Sequence, residues 1–179
     1  MVTIICSNYL SVSAEAKIAF FALIVSAIGV FISIWTIVST RKHNKLSVKP
    51  IAYILPQNYE DKVCVNIQNK GTGPLIVKEI SFTDIIDKRT TNSLIELMPE
   101  LKNGYHWSNF SSADKFVLSP NETKELLKLT GDIDDDIYID NREIIREKLS
   151  KVQIKIKYTG IYEGKSIILI HDLKWFERI

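Results

Sequence analysis

The sequence predicts a single membrane-spanning helix near the amino terminus, followed by an all-β antiparallel sandwich with one short inserted helix. Three observations lead to this fold class. Residues 18–40 carry no charged side chain, residues 50–179 contain short runs in which apolar and polar residues alternate, and residues 141–150 repeat apolar side chains at helical spacing. Alternation with period two is typical of half-buried strands, whereas a long charge-free run is typical of a membrane span.

The predicted span is the run IAFFALIVSAIGVFISIWTIVST at residues 18–40, which follows a short leader at residues 1–17. At about 1.5 Å per residue, a helix of this length exceeds the roughly 30 Å hydrocarbon core of a bilayer. A cleaved signal peptide would have a basic start, a shorter apolar region and a small-residue cleavage site. Because this run ends in charged residues without such a site, the sequence predicts an uncleaved anchor.

The residues that flank the span predict its orientation. The basic linker at residues 41–49 contains four cations and no acid, whereas Glu15 and Lys17 precede the span. The positive-inside rule therefore predicts a single-pass protein of the inner (cell) membrane, with the leader outside and residues 50–179 in the cytoplasm. Unless they serve only as a topology signal, the linker cations are also predicted to contact anionic lipid headgroups. These cations are Arg41, Lys42, Lys45 and Lys49.

One face of the predicted span carries small or hydroxylated side chains at alternating steps of three and four residues. This spacing is that of the contact seam between two helices, and small residues allow helix backbones to approach closely in lipid. The sequence therefore predicts a homo-oligomer formed through this face, unless the hydroxyls only bond back to their own helix. The predicted self-association residues are Ala22, Ser26, Gly29, Ser33 and Thr36, extended by Ala19 and Thr40.

Charge and cysteine content exclude several functional classes. Residues 51–179 hold 18 basic and 20 acidic side chains, so they lack the cationic surface that nucleic-acid binding requires. Cys6 and Cys64 lie on opposite sides of the predicted span and cannot pair, and no zinc-ligand spacing is present. We therefore expect no nucleic-acid partner, no disulfide framework and no cofactor.

Two segments alternate most clearly, KVCVNIQ at residues 62–68 and KVQIKIKY at residues 151–158. Their side chains predicted to face the core are Val63, Val65, Ile67, Val152, Ile154, Ile156 and Tyr158. Further strands are predicted in segments bounded by Gly, Pro, Asn or Asp, namely SVKPIAYIL, LIVKEISFTD, FVLS, KELLKL and KSIILIHDLKW. Residues 90–112 have weak periodicity and predict no element.

The stretch NKGTGP at residues 69–74 raises the question of a phosphate-binding loop. A P-loop needs GxxxxGK followed by Ser or Thr between a strand and a helix, and a dinucleotide fingerprint needs a third glycine. Here Gly71 and Gly73 are two residues apart, and the segment that follows alternates like a strand. We therefore predict a turn between two strands, in which the glycines supply positive φ.

The acidic segment DIDDDIYIDNRE at residues 132–143 supports two interpretations. The first is a calcium-binding loop, but position 6 of the segment is Ile137, where such a loop needs glycine. Alternatively, Asp140 and Glu143 form a capping box at the start of a helix near residues 141–150, and this structural interpretation is favoured. The carboxylates that fit the spacing of a calcium-binding loop are Asp132, Asp134, Asp136, Asp140 and Glu143.

Three segments, VNIQNKGTGPLIVKEISF, VLSPNET and IKIKYTGIYEGKSIILI, resemble small bacterial proteins that carry one N-terminal membrane helix and a cytoplasmic immunoglobulin-like β-sandwich. The resemblance covers most of the chain and implies the same fold. Its motifs are turns and core positions, so it carries no catalytic or ligand-binding residue. Some membrane-anchored β-domain proteins act as effectors in bacterial antiviral defence, and the predicted architecture is similar to theirs.

The sequence contains no arrangement for nucleophilic catalysis, because neither a His-x-x-x-His nor a Gly-x-Ser-x-Gly motif occurs. We therefore expect that the protein is not an enzyme. The first functional hypothesis is a membrane-anchored interaction module that binds itself and a protein partner. The alternative is a membrane-perturbing, pore-type effector of an antiviral defence system, whose β domain senses a signal such as a small nucleotide messenger.

Overall fold

The computed structural model describes residues 13–112, 115–162 and 165–178. The chain divides into two compact units, Met1–Leu46 and Ser47–Ile179. Helix α1, Ala14–Ser47, is 34 residues long and buries none of its side chains within the structure. Within the described ranges it is the one helix long and apolar enough to cross a membrane, which confirms the predicted N-terminal apolar helix.

The second unit is built from antiparallel strands. In the described part of the chain these are β1 (Ala52–Tyr59), β2 (Lys62–Asn69), β3 (Leu75–Asp84), β4 (Thr90–Thr91), β5 (Asn109–Phe110), β6 (Phe116–Leu118), β7 (Thr123–Thr130), β8 (Val152–Thr159) and β9 (Ile167–Asp172). Helix α2, Asp136–Ser150, connects β7 to β8. Two short 3₁₀ helices complete the unit, at Leu94–Leu97 and Lys174–Glu177.

The strands form two sheets. The first has the order β1-β2-β7-β5 and the second the order β4-β3-β8-β9, with β6 pairing with β3 as well. Every pairing is antiparallel. The predicted fold class, an apolar helix followed by an antiparallel β-sandwich with one short helix, is therefore confirmed, while the immunoglobulin-like topology stays a prediction.

The core forms where the alternating patterns meet, because side chains at every second position of a strand point to the same face. The seven side chains expected to face inward, from Val63 to Tyr158, are all buried. Cys64 and Asn66, which lie on the opposite face of β2, are buried as well. Strand β2 lies between β1 and β7, and polar side chains cover its second face. There the Asn66 amide nitrogen donates to Gln57 Oε1 over 3.3 Å and the Cys64 thiol to Asn66 Oδ1 over 3.0 Å.

The start of α2 corrects the sequence analysis. The helix begins at Asp136, and its cap is Asp135 rather than Asp140. The Asp135 carboxylate accepts hydrogen bonds from the backbone nitrogens of Ile137 at 2.9 Å and Tyr138 at 3.4 Å. The earlier start is favoured because it carries the Tyr138 ring, which is fully buried, into the core. Asp140 therefore lies inside the helix.

Residues 90–112, for which no element was predicted, contain β4, a 3₁₀ helix and β5. This segment is attached to α2 by Asn141, whose side chain accepts from the Lys102 backbone nitrogen at 2.8 Å and donates to the Lys102 oxygen at 3.4 Å. Tyr105 and Trp107 pack against the core, while Phe110 is exposed. Two of the three aromatic residues of this segment are therefore partly buried against the core.

Candidate functional site

The predicted self-association face lies on α1. Small and hydroxylated side chains spaced by three and four residues fall within an arc of roughly 100° at 3.6 residues per turn. Gly29 forms an open notch in this face, since a Cβ placed there would meet no atom within 4 Å. A second helix could therefore approach the backbone closely at this point.

The hydroxyl groups of this face are partly satisfied within α1. Ser26 Oγ donates to the Ala22 carbonyl, Ser33 Oγ to the Gly29 carbonyl and Thr36 Oγ1 to the Ile32 carbonyl, each over 2.8 Å. Such back-bonding to the preceding turn is the alternative role predicted for these hydroxyls. Each hydroxyl oxygen still has a lone pair for a donor from a neighbouring helix. The face thus offers hydroxyl acceptors and the notch at Gly29 to a neighbouring helix.

The predicted lipid-contact cations follow this face along the chain. Arg41, Lys42 and Lys45 lie in the last turns of α1, and Lys49 lies in the connection between α1 and β1. Lysine and arginine near the end of an apolar helix extend toward the headgroup region of a bilayer, with their aliphatic stems along the apolar surface. The placement of the first three cations is compatible with this role.

Asn69, which sequence reasoning missed, organises the NKGTGP turn. The side chain is fully buried, and its oxygen accepts from the backbone nitrogens of Gly71 at 3.0 Å and Ile51 at 3.3 Å. Its amide nitrogen donates to the carbonyls of Gly73 at 2.7 Å, Leu118 at 3.1 Å and Ser119 at 3.3 Å. One asparagine therefore ties the turn to the connection before β1 and to the end of β6. We call this arrangement the Asn69 clamp.

The two glycines of the turn have a different role from the predicted one. The prediction that they supply positive φ is wrong, because neither has φ in the left-handed region. Among the described glycines, Gly104 has a positive φ. Instead, a Cβ on Gly71 would lie 2.3 Å from the Lys49 carbonyl oxygen, and a Cβ on Gly73 would lie 1.9 Å from the Val48 carbonyl oxygen. The glycines are required because the turn packs directly against the backbone of residues 48–51.

Two backbone donors of the turn are used within the protein rather than offered to a phosphate. The Gly71 nitrogen donates to Asn69 and the Lys70 nitrogen donates to the Ile51 carbonyl over 2.8 Å. A phosphate-binding loop needs its backbone N–H groups directed at the ligand. Because the Gly71 donor is used in the Asn69 clamp and the Lys70 donor is used by the connection before β1, we assign the turn a structural role.

The five carboxylates of the calcium hypothesis are not brought together. Asp136, Asp140 and Glu143 lie on α2, whereas Asp132 and Asp134 precede it. Asp132 Oδ1 accepts from the Asp134 backbone nitrogen over 3.1 Å, and Glu143 pairs with Arg146 over 2.6 Å. Across the described ranges, no three His, Cys, Asp or Glu side chains gather in a geometry that could hold a metal ion.

The nucleophilic and acid–base groups of the second unit are also dispersed. Burial raises the pKa of the Cys64 thiol to about 11, so this cysteine is protonated and unreactive near neutral pH. His106 lies in the loop before β5 and His171 lies on β9. A groove of ≈ 780 Å³ runs between β1 and β9, and its walls include Tyr53, Leu55, His171, Asp172, Trp175 and Arg178.

The fold and these surfaces define a class of protein, namely an apolar helix of membrane-spanning length joined to an antiparallel β-sandwich. Comparisons of the chain with protein-family models, with curated proteins and with solved structures find no match. The function of the protein is therefore inferred from its own helix, turn and strand edges.

Proposed function

We propose that the protein is a non-enzymatic, membrane-anchored interaction module whose anchor also associates with itself. The observation that carries this proposal is α1, an apolar helix with no buried side chain, on which one narrow face carries seven small or hydroxylated residues at steps of three and four. In this proposal α1 crosses the inner (cell) membrane, the β-sandwich lies in the cytoplasm, and the sandwich presents surfaces to a protein partner or to a small signalling ligand.

Physical arguments support self-association through this face. Hydrocarbon tails are as apolar as leucine, so the hydrophobic effect does not drive helices together in lipid. Close backbone approach at Gly29 and the hydroxyl acceptors of Ser26 and Ser33 supply van der Waals and hydrogen-bond contacts, each worth on the order of 1 kcal/mol or less. Confinement to one bilayer raises the effective concentration of the helices, so modest contacts suffice.

Replacing Gly29 by leucine should break the anchor's self-association. The leucine side chain fills the notch and separates the two backbones, so we expect the signal of a two-hybrid membrane assay to fall by roughly tenfold. Leu23→Ile lies outside the face and keeps its volume, so it should retain the parental signal. A Gly29→Leu variant that associates as well as the parent would show that α1 is only an anchor.

The same assay cells can test the effector alternative with a membrane-potential dye. A helix that assembles into a pore would turn Ser26, Ser33 and Thr36 toward a lumen. Depolarisation on overexpression that Gly29→Leu abolishes would favour the effector. A stable potential, together with a signal that depends on Gly29, would favour the module.

The proposed orientation predicts the behaviour of reporter fusions. Four cations follow the span and a single lysine precedes it, so the end at Ile179 should lie on the cytoplasmic side. A fluorescent reporter fused after Ile179 should be active, whereas alkaline phosphatase at that position should be inactive. Neutralising Arg41, Lys42, Lys45 and Lys49 together should give mixed orientation. An active alkaline phosphatase in the unmodified chain would contradict the proposal.

A further inference from the structure

Strand β9 is an open edge of the second sheet. It pairs with β8 from Ile167↔Tyr158 to Gln153↔Asp172, and within the described residues no strand pairs with its other side. An open edge presents a row of backbone N–H and C=O groups to an incoming strand. The groove against β1 reaches only His171 and Asp172 at the end of β9, whereas Ile168 and Ile170 at its centre are exposed, so the central part of this strand is accessible.

The other edges of the sandwich carry features that discourage pairing. Strand β1 contains Pro56 in its middle, which removes one ladder donor, and β4, β5 and β6 have only two or three residues each. Strand β9 has six residues, IILIHD, without proline, glycine or lysine. Proteins usually protect an edge of this kind with charge, proline or a bulge, and β9 has none of these at its centre.

The side chains of β9 are only partly covered on both faces. Ile167 and Leu169 pack against the core but remain partly exposed, and Ile168 and Ile170 on the outer face are 55% and 56% exposed. An apolar strand that is incompletely buried on both faces gains burial if the sheet continues past it. The second sheet therefore ends in an apolar strand whose side chains are incompletely covered.

We infer that β9 pairs antiparallel with β9 of a second copy of this chain, about a twofold axis at Leu169, so that the two sheets become one. In this register Ile168 of each copy lies opposite Ile170 of the other, and Leu169 lies opposite itself. The inference goes beyond the proposed contact between membrane helices, because it assigns a second interface within the β domain.

The pattern of β9 is self-complementary in this register. A twofold interface requires that residue i contact residue j and that j contact i. The apolar outer pair is symmetric about Leu169, which meets this requirement and brings the four exposed isoleucines of two copies into one cross-strand cluster. Cross-strand side-chain pairs on one face of an antiparallel sheet stabilise the pairing of its strands.

Charge also favours the antiparallel pairing. Lys165 precedes β9 and Asp172 ends it, so antiparallel strands place Asp172 of one copy near Lys165 of the other. A parallel arrangement would place like charges side by side. Lys155 and Lys157 of β8 lie opposite Ile170 and Ile168. Across the interface they are about three strand spacings apart, roughly 14 Å, which is beyond the screening length at physiological salt.

Cysteine crosslinking of the full chain in its membrane tests this pairing directly. Directly opposite residues in an antiparallel pair have Cα atoms about 4.5–5.5 Å apart, within the range that a disulfide spans. In a chain with Cys6→Ser, we expect Leu169→Cys to form a crosslinked dimer under mild oxidation. Cys64 is buried and serves as an internal background control.

A second pair of variants keeps the test valid if Leu169→Cys disturbs the fold. Ile168→Cys and Ile170→Cys change exposed side chains. When two differently tagged chains carry one of these changes each, the mixed dimer should exceed either homodimer by at least about fivefold, because only the mixed pair is directly opposite. Equal amounts of all three, or no dimer at all, would overturn the inference.

A charged substitution in the interface gives a third test, and the same substitution elsewhere on the β domain is its matched control. In the Leu169→Cys chain, Ile168→Lys places two lysines in the twofold interface and should reduce crosslinking by roughly tenfold, since symmetry applies the change twice. Ile86→Lys, at an apolar residue that is also exposed, should leave crosslinking unchanged. If Leu169→Cys crosslinks equally well with and without Ile168→Lys, the edge does not pair with a second copy. The same conclusion follows if a dye attached to Ile168→Cys responds only to anionic vesicles.

The two interfaces can fail separately. Gly29→Leu should lower the two-hybrid signal of the membrane helices while the Ile168–Ile170 crosslink persists at a reduced level. If Gly29→Leu leaves the two-hybrid signal unchanged but the crosslink forms, the helix interface is wrong and the β9 interface is supported. If the two-hybrid signal depends on Gly29 and no crosslink forms, the β9 interface is wrong and the helix interface is supported.

Discussion

Replacing Asn69 by alanine should destabilise the β domain more than any other single polar substitution proposed for this chain. The substitution removes the centre of the Asn69 clamp and leaves buried groups of Gly71, Gly73 and Leu118 without their partner. Each buried group that loses its hydrogen bond costs about 1–3 kcal/mol. We therefore expect the free energy of unfolding to fall by about 4 kcal/mol, which is a large part of the stability of a small domain.

Urea unfolding of the full chain in detergent, followed by near-ultraviolet circular dichroism, measures this loss. Lys70→Ala is the neighbouring control, because that side chain is exposed and its backbone donor is retained. It should change the free energy of unfolding by about 0.5 kcal/mol or less. Gly73→Ala should also be strongly destabilising, since its Cβ would overlap the Val48 carbonyl. A midpoint of Asn69→Ala equal to that of Lys70→Ala would contradict the assigned role.

The strands could be predicted from the sequence because their signal is local. Alternation in β2 and β8 follows from the two faces of a strand, and both segments occupy nearly the predicted residues. The α2 cap could not be chosen locally, because several aspartates precede the helix and each is a suitable cap residue. What selects Asp135 is the tertiary burial of Tyr138.

The Asn69 clamp was not predictable for a related reason. Its partners Leu118 and Ser119 lie 49 and 50 residues away along the chain, and no periodic pattern encodes such a contact. The asparagine before two glycines indicated a turn but not what the turn would touch. Likewise, IILIHD predicted a strand, whereas only the order of the sheet reveals that this strand is an edge.

The second large effect is expected at the ion pair between Lys148 of α2 and Asp84 of β3. Lys148 Nζ lies 2.6 Å from Asp84 Oδ2, and the Asp84 side chain is almost completely buried. Its other oxygen accepts from the backbone nitrogens of Ile86 at 2.8 Å and Asp87 at 3.1 Å. The hydrogen bond from Lys148 lowers the pKa of Asp84 and, in turn, the bond to Asp84 raises the pKa of Lys148.

The directions of these shifts define a pH window. Because the folded-state pKa of Asp84 is below its unfolded value, its contribution is complete above about pH 4 and is lost as the pH falls through the folded pKa. Because the pKa of Lys148 is raised, its contribution is complete below about pH 10.4 and is lost as the pH rises through the folded pKa. Between these limits the pair stabilises the attachment of α2 to the sheet.

Lys148→Met should therefore lower the free energy of unfolding by about 3 kcal/mol at pH 7, because it leaves a buried carboxylate without its cation. Its deficit relative to the parent should shrink below about pH 4, where a protonated Asp84 no longer needs the lysine. Lys151→Met is the matched control: Lys151 also lies 2.6 Å from a carboxylate, that of Glu147, but this pair is exposed. Exposed pairs contribute at most about 1 kcal/mol. Equal losses for the two variants at pH 7 would show that the burial of Asp84 does not increase the contribution of this ion pair to stability. A Lys148→Met deficit that is the same at pH 3 and pH 7 would show the same.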